Sequence, residues 1–188
     1  MVYAKTYAYL DKSGISKTGI MSKGTQDDST WTAYDVPDAT WLYLDGNNNI
    51  QSYTQAQIDA VALASDRAAQ SAIVYKACAD AITGGFTSSA LGSPYTYPSN
   101  TTDQQNLAAN VLSSLLPAAQ VSGWTTPQVC ATQATPPVWA YLPHTGAQIQ
   151  QVGNDGKAWI MSCLLKNKSL QDQIQLATTS AAVQVIAW

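Results

Sequence analysis

Residues 55–83 contain neither glycine nor proline, and this Ala-rich run constrains the fold more than any other feature. Gly and Pro are the residues a helix interior tolerates least, so their absence over such a length predicts one long helix. Its start is marked by Thr54-Gln55-Ala56-Gln57, which fits a capping box: the Thr54 side chain accepts from the Gln57 amide while the Gln57 side chain reaches back. Tyr53 and Ile58 stand at the spacing of a hydrophobic staple, and Gly84-Gly85 mark the end. At 1.5 Å per residue the helix would be roughly 43 Å long. Its inward face reads as Ile58, Val61, Ser65, Ala68, Ala72, Tyr75, Ala79 and Ile82, in alternating steps of three and four, the spacing of a coiled-coil seam. Several of these residues are small or polar, which favours packing within the chain over a free coiled-coil stalk.

Two further capping signatures follow. Thr102-Asp103-Gln104-Gln105 predicts a second helix carrying Leu107, Val111, Leu112 and Leu115 until Pro117. Thr145-Gly146-Ala147-Gln148 predicts a third, with Ile149, Val152, Gly156, Ile160 and Cys163 on one stripe. This helix either breaks near Asn167-Lys168-Ser169 or continues through Leu170 and Ile174. Gly153 and Gly156 each cost about 1 kcal/mol relative to Ala in a helix, so the pair predicts a close approach by a neighbouring element. The last residues, 182–188, are ambiguous between helix and strand.

The first fifty residues read differently. Val2–Leu10 is rich in strand formers, and Asp11-Lys12-Ser13-Gly14 supplies turn chemistry. Trp41–Leu44 and Ile50–Tyr53 flank Asp45-Gly46-Asn47-Asn48-Asn49, a hairpin signal. Later extended pieces are Phe86–Leu91, Tyr95–Tyr97 and Val138–Leu142, the last closed by Pro143. The expected class is α+β: a small β-rich module over residues 1–53, then a domain over 54–188 in which a long helix and two or three others pack on a small antiparallel sheet. No repeat of twenty to fifty residues suggests a solenoid.

Composition narrows the functions. Only 11% of the 188 residues are charged, against about 25% in an ordinary domain, and all 12 acidic residues are Asp. Nine cations and a net charge of −3 do not make a phosphate-tracking face, so nucleic acid is not an expected partner. No apolar run approaches the ~20 residues of a membrane span, and the first residues carry no signal-peptide pattern. Cys78, Cys130 and Cys163 lack the close spacing of zinc ligands and read as buried free thiols of a chain made in a reducing cytoplasm.

Catalytic options are few. His144 is the one histidine, placed just before the capping Thr145, where a local structural role outweighs that of a general base. Asp27-Asp28 and the Asp35/Asp38 pair fall in loops and read as solubility chemistry rather than as paired glycosidase carboxylates. Asp45–Asn49 imitates the start of a calcium loop, but its sixth position is Ile50 where Gly is needed and its twelfth Ala56 where Glu is needed. Gly153–Lys157 lacks phosphate-loop spacing. No catalytic residue, metal site or cofactor is expected. Tyr and Trp suit interfaces, having an apolar face and a polar tip. The candidate interface residues are Trp31, Trp41 and Tyr43, together with Ile58, Val61, Ala68, Ala72, Tyr75 and Ile82 of the long helix.

Gly85-Phe86-Thr87-Ser88-Ser89-Ala90-Leu91-Gly92-Ser93-Pro94-Tyr95-Thr96-Tyr97, followed by Thr102–Leu107, resembles a domain of unknown function, family number 4376, found in tail-fibre and tail-fibre assembly proteins of tailed bacteriophages. Val138–Tyr141, His144-Thr145, Gln148 and Val152–Lys157 are similar to its second half, and the resemblance spans roughly residues 60–175. It implies a non-enzymatic tail-fibre-associated protein, with a tail fibre or other tail protein as partner, and residence in the phage virion. An assembly chaperone absent from the mature particle is the alternative, and a glycan-binding or depolymerising receptor protein the second. The heptad-like face allows a homo-oligomer, a trimer being favoured for a partner of a trimeric fibre.

Overall fold

The computed structural model describes residues 1–25 and 29–188; Gln26, Asp27 and Asp28, and with them the Asp27-Asp28 pair, lie outside the described residues. The chain is α+β and divides into two compact units, Met1–Ser65 and Asp66–Trp188. The division falls inside helix α1 (Gln55–Thr83) rather than at the 53/54 boundary read from the sequence. Ile58 accounts for the difference, because it belongs to the apolar core of the first unit.

In the first unit, β1 (Val2–Leu10) lies between β2 (Ser16–Lys23) and β3 (Thr32–Tyr34), all antiparallel, with Tyr3 opposite Lys23 and Leu10 opposite Ser16. Asp11 closes the first hairpin by accepting the amides of Ser13 and Ile15 at 2.9 and 3.0 Å. β4 (Leu42–Leu44) and β5 (Ile50–Ser52) form a second hairpin. There Asp45 accepts the amides of Asn47 and Asn49, both at 2.9 Å, so the calcium-like segment is a turn held by its own carboxylate. Val2, Ala4, Val36, Leu42 and Ile58 make the core. β2 escaped the sequence reading because its residues are mostly polar and small.

Thr54 and Gln57 form the expected reciprocal bonds at the head of α1, at 2.8 and 3.3 Å. At its other end Gly85 has φ +106, and a Cβ there would sit 2.7 Å from the Tyr97 carbonyl oxygen, so only glycine fits.

The second unit is built on a four-stranded antiparallel sheet in the order β6 (Phe86–Ser88), β7 (Tyr95–Tyr97), β8 (Thr125–Thr132), β9 (Trp139–Thr145). Pro143 does not end β9. It faces Pro127 of β8 in the register, and since neither has an N–H this must be a non-hydrogen-bonded pair, which leaves the ladder intact on either side. Helix α2 (Thr101–Ser114) is capped by Asn100, not Thr102: Asn100 accepts the Asp103 amide at 3.0 Å, and Asp103 accepts the Asn100 amide at 3.2 Å. Helix α3 (Gly146–Leu176) is capped by Thr145 with Gln148 and runs through Asn167 without a break. The ambiguous tail contains a short helix, α4 (Ser180–Gln184).

Within this unit α1 and α3 run antiparallel. Arg67 donates to the Ala177 carbonyl at 2.7 Å, Gln171 to the Ser71 carbonyl at 3.1 Å, and the Trp159 indole to the Ala81 carbonyl at 3.2 Å. Val74 and Cys78 are buried between these bonds. The seam is therefore one residue away, about 100° around the helix, from the stripe through Ala68, Ala72 and Tyr75. That stripe is exposed, Tyr75 at 59%, as is Val61 in the first unit. Apolarity alone misplaces the seam because Arg67, Ser71 and Gln171 pack by hydrogen bonding. Among the described residues, no helix is long and apolar enough to cross a membrane.

Candidate protein interface

Helix α3 approaches α2 and β6 closely because it has no side chain at the two positions that meet them. A Cβ on Gly153 would lie 2.8 Å from Val111 Cγ2 of α2, and one on Gly156 would lie 2.8 Å from the Phe86 ring of β6. The glycine pair thus does what the sequence predicted. Beneath it Phe86 stacks on Tyr97 at 5.6 Å, in a core shared with Leu107, Cys130, Ile149 and Val152.

Above this floor a groove of about 510 Å³ runs between the two helices. Its walls are Leu107, Val111, Leu112 and Leu115 on one side and Ile160 and Met161 on the other. Leu107 is buried, but Leu112 and Leu115 are 63% and 59% exposed. Leu112 stands about 140° around the helix from Leu107, off the stripe that Leu107 and Val111 form, and this was the available signal for the groove. Gln104, Gln150, Asn154 and Lys157 form a polar rim.

The residues singled out from the sequence do not form one surface. In the first unit Trp31 is buried, with the ammonium groups of Lys5 and Lys23 at 4.5 and 3.8 Å from its ring. Trp41 is half-buried and meets Tyr53 edge-on, while Tyr43 leans on Tyr53 from 5.1 Å. Ile58 is core, and Ile82 is half-buried in the second unit. Val61, Ala68, Ala72 and Tyr75 are exposed.

His144 is fully buried. Its Nδ1–H donates to the Leu142 carbonyl at 2.9 Å, which leaves Nε2 to accept the Tyr97 hydroxyl at 2.8 Å. Burial holds the imidazole below the ordinary histidine value, partly opposed by the Leu142 bond, and pushes the Tyr97 phenol up. All three cysteines are free and buried, and burial raises the thiols of Cys78 and Cys130. Among the described residues no three His, Cys or Asp side chains converge to hold a metal ion.

The model of the family described as Domain of unknown function (DUF4376) matches residues 65–187. The chain belongs to this family. No curated protein and no solved structure matches it. The DUF4376 region coincides with the second unit, beginning one residue before Asp66 and reaching past α4, some way beyond the 60–175 span read from the motifs. The α2–α3 groove, the Tyr97–His144 pair and both close-approach glycines therefore all lie inside the DUF4376 domain, whereas Trp31, Trp41, Tyr43 and Ile58 lie outside it.

Proposed function

We propose that this chain is a non-enzymatic bacteriophage tail-fibre-associated protein, a structural or adaptor subunit that binds the fibre through its DUF4376 domain and stays in the virion. The observation that carries the reading is the α2–α3 groove: an apolar channel with Leu112, Leu115 and Met161 at its surface and a rim poor in charge. Interface cores are depleted of charged residues in the same way. The tail-fibre context comes from the family resemblance. A non-catalytic role is supported by His144, whose ring nitrogens are both engaged and which solvent does not reach. The exposed heptad-spaced residues Ala68, Ala72 and Tyr75 of the second unit support self-association, with a trimer matching a trimeric fibre.

The test is co-expression with a tail fibre of the same phage, followed by protein identification on purified virions. Co-purification that is lost in a Leu112→Gln/Leu115→Gln variant of unchanged thermal stability supports the groove. Binding without retention in virions converts the reading to the assembly chaperone. Failure to bind any tail component overturns it.

A further inference from the structure

We infer that the opposite side of α3 carries a saccharide-binding depression, formed by Asp155, Trp159 and Ser162 of the helix and by Gly85 and Thr87 of the adjoining sheet edge. The three helical residues stand at i, i+4 and i+7, so they share one face. The depression measures about 480 Å³, within the roughly 300–1,000 Å³ of small-molecule sites.

Each group is held in place by the protein and keeps unused capacity. The Trp159 N–H is engaged by the Ala81 carbonyl, so the ring offers the depression hydrocarbon surface rather than a donor, and it remains 39% exposed. Asp155 Oδ2 accepts the hydroxyl of Ser88 at 2.6 Å, and Ser88, only 2% exposed, is itself fixed by accepting the Ala90 amide at 3.3 Å. A carboxylate can accept about four hydrogen bonds, and this one receives a single bond from the described residues. Nor has it a counter-charge: ion pairs among the described residues join Lys17 to Asp11, Lys76 to Asp80 and Lys168 to Asp172. Ser162 donates its hydroxyl proton to the Trp159 carbonyl at 2.7 Å, leaving its oxygen as an acceptor.

The site thus presents acceptors in several directions beside one anchored aromatic surface. A neutral pyranose supplies the complement, hydroxyl donors around an apolar C–H face. Phosphorylated ligands are disfavoured by the carboxylate. A lone ammonium or guanidinium would use Asp155 but would find one surface ring where selective cation sites enclose the charge. This site lies across α3 from the groove, with Phe86 between the two, and goes beyond the adaptor reading.

The experiment is titration of the intact ¹⁵N-labelled chain with neutral methyl glycosides (glucoside, galactoside, mannoside and N-acetylglucosaminide), with methylguanidinium as the competing probe. The expected result is that at least one glycoside shifts the Trp159 indole resonance and the Gly85 and Thr87 amides. Asp155→Asn keeps an acceptor for Ser88 and should weaken binding about tenfold, the loss of one charge-assisted hydrogen bond. Trp159→Leu should abolish it. Absence of any glycoside shift, shifts that survive both substitutions in folded protein, or a response to methylguanidinium alone would each overturn the proposal. None of these outcomes bears on fibre binding.

Discussion

Tyr97 donates its hydroxyl to Nε2 of His144 across 2.8 Å, linking β7 to β9 beneath the strand that separates them, and both side chains are fully buried. Removing either partner leaves the other's polar atom in a place water does not reach. Tyr97→Phe should therefore destabilise by about 1–3 kcal/mol despite its conservative shape. Urea unfolding measures this directly, and an unchanged midpoint would refute the assignment.

The same pair sets a pH dependence. Burial depresses His144, so the folded state takes up a proton less readily than the unfolded chain. Stability should be level above the unfolded histidine value of about 6.5 and fall as pH drops below it, by at most about 1.4 kcal/mol per pH unit. His144→Gln, which keeps an acceptor for Tyr97, should flatten that fall between pH 6.5 and 5. Asp38 and Asp45, lowered mainly by the Thr40 side chain and the Asn49 amide respectively, act in a separate window, with stability lost only below about pH 4.

Gly153→Ala and Gly156→Ala would each stabilise the protein by about 1 kcal/mol if helix propensity alone counted. Both should instead destabilise, Gly156→Ala more, by about 1–3 kcal/mol. Its new Cβ meets the buried Phe86 ring, whereas Gly153 faces the half-buried Val111, which has room to yield. Thermal unfolding of the two variants gives the order.

Capping separates two residues that lie two apart, Asn100 and Thr102. Asn100→Ala and Thr145→Ala should each cost about 0.5–2 kcal/mol, since each removes a side-chain acceptor from a capping box. Thr102→Ala, inside the first turn of α2, should fall within about 0.5 kcal/mol of the parent. Equal losses at Asn100 and Thr102 would contradict the observed cap.

Local chemistry made much of this legible in the sequence. Thr54 with Gln57 and Thr145 with Gln148 announce helix starts because a capping box involves residues three apart, and Asp45 announces its turn for the same reason. The Ile149, Val152, Gly156, Cys163 stripe reads correctly because its apolar residues share one face. The family motifs, being ordered and closely spaced, are equally visible.

What only the tertiary structure decided is which polar residues face inward and which apolar ones do not. β8 was invisible because its buried positions Thr126 and Gln128 are polar, and their partner is Asn110 on α2, which bonds them both at 2.9 Å. The α1 seam was misread by one residue because Arg67 and Ser71 gain their partners from Ala177 and Gln171, a hundred residues away. Leu112 and Leu115 read in the sequence only as apolar residues of a helix, and the fold makes them groove walls facing Ile160 and Met161 of α3. Asp155 and Trp159 look like ordinary helix surface until Ser88 and Ala81 are brought against them. A hydrogen bond stabilises a buried polar group only when its partner is placed, and partners so distant in sequence are placed by the fold.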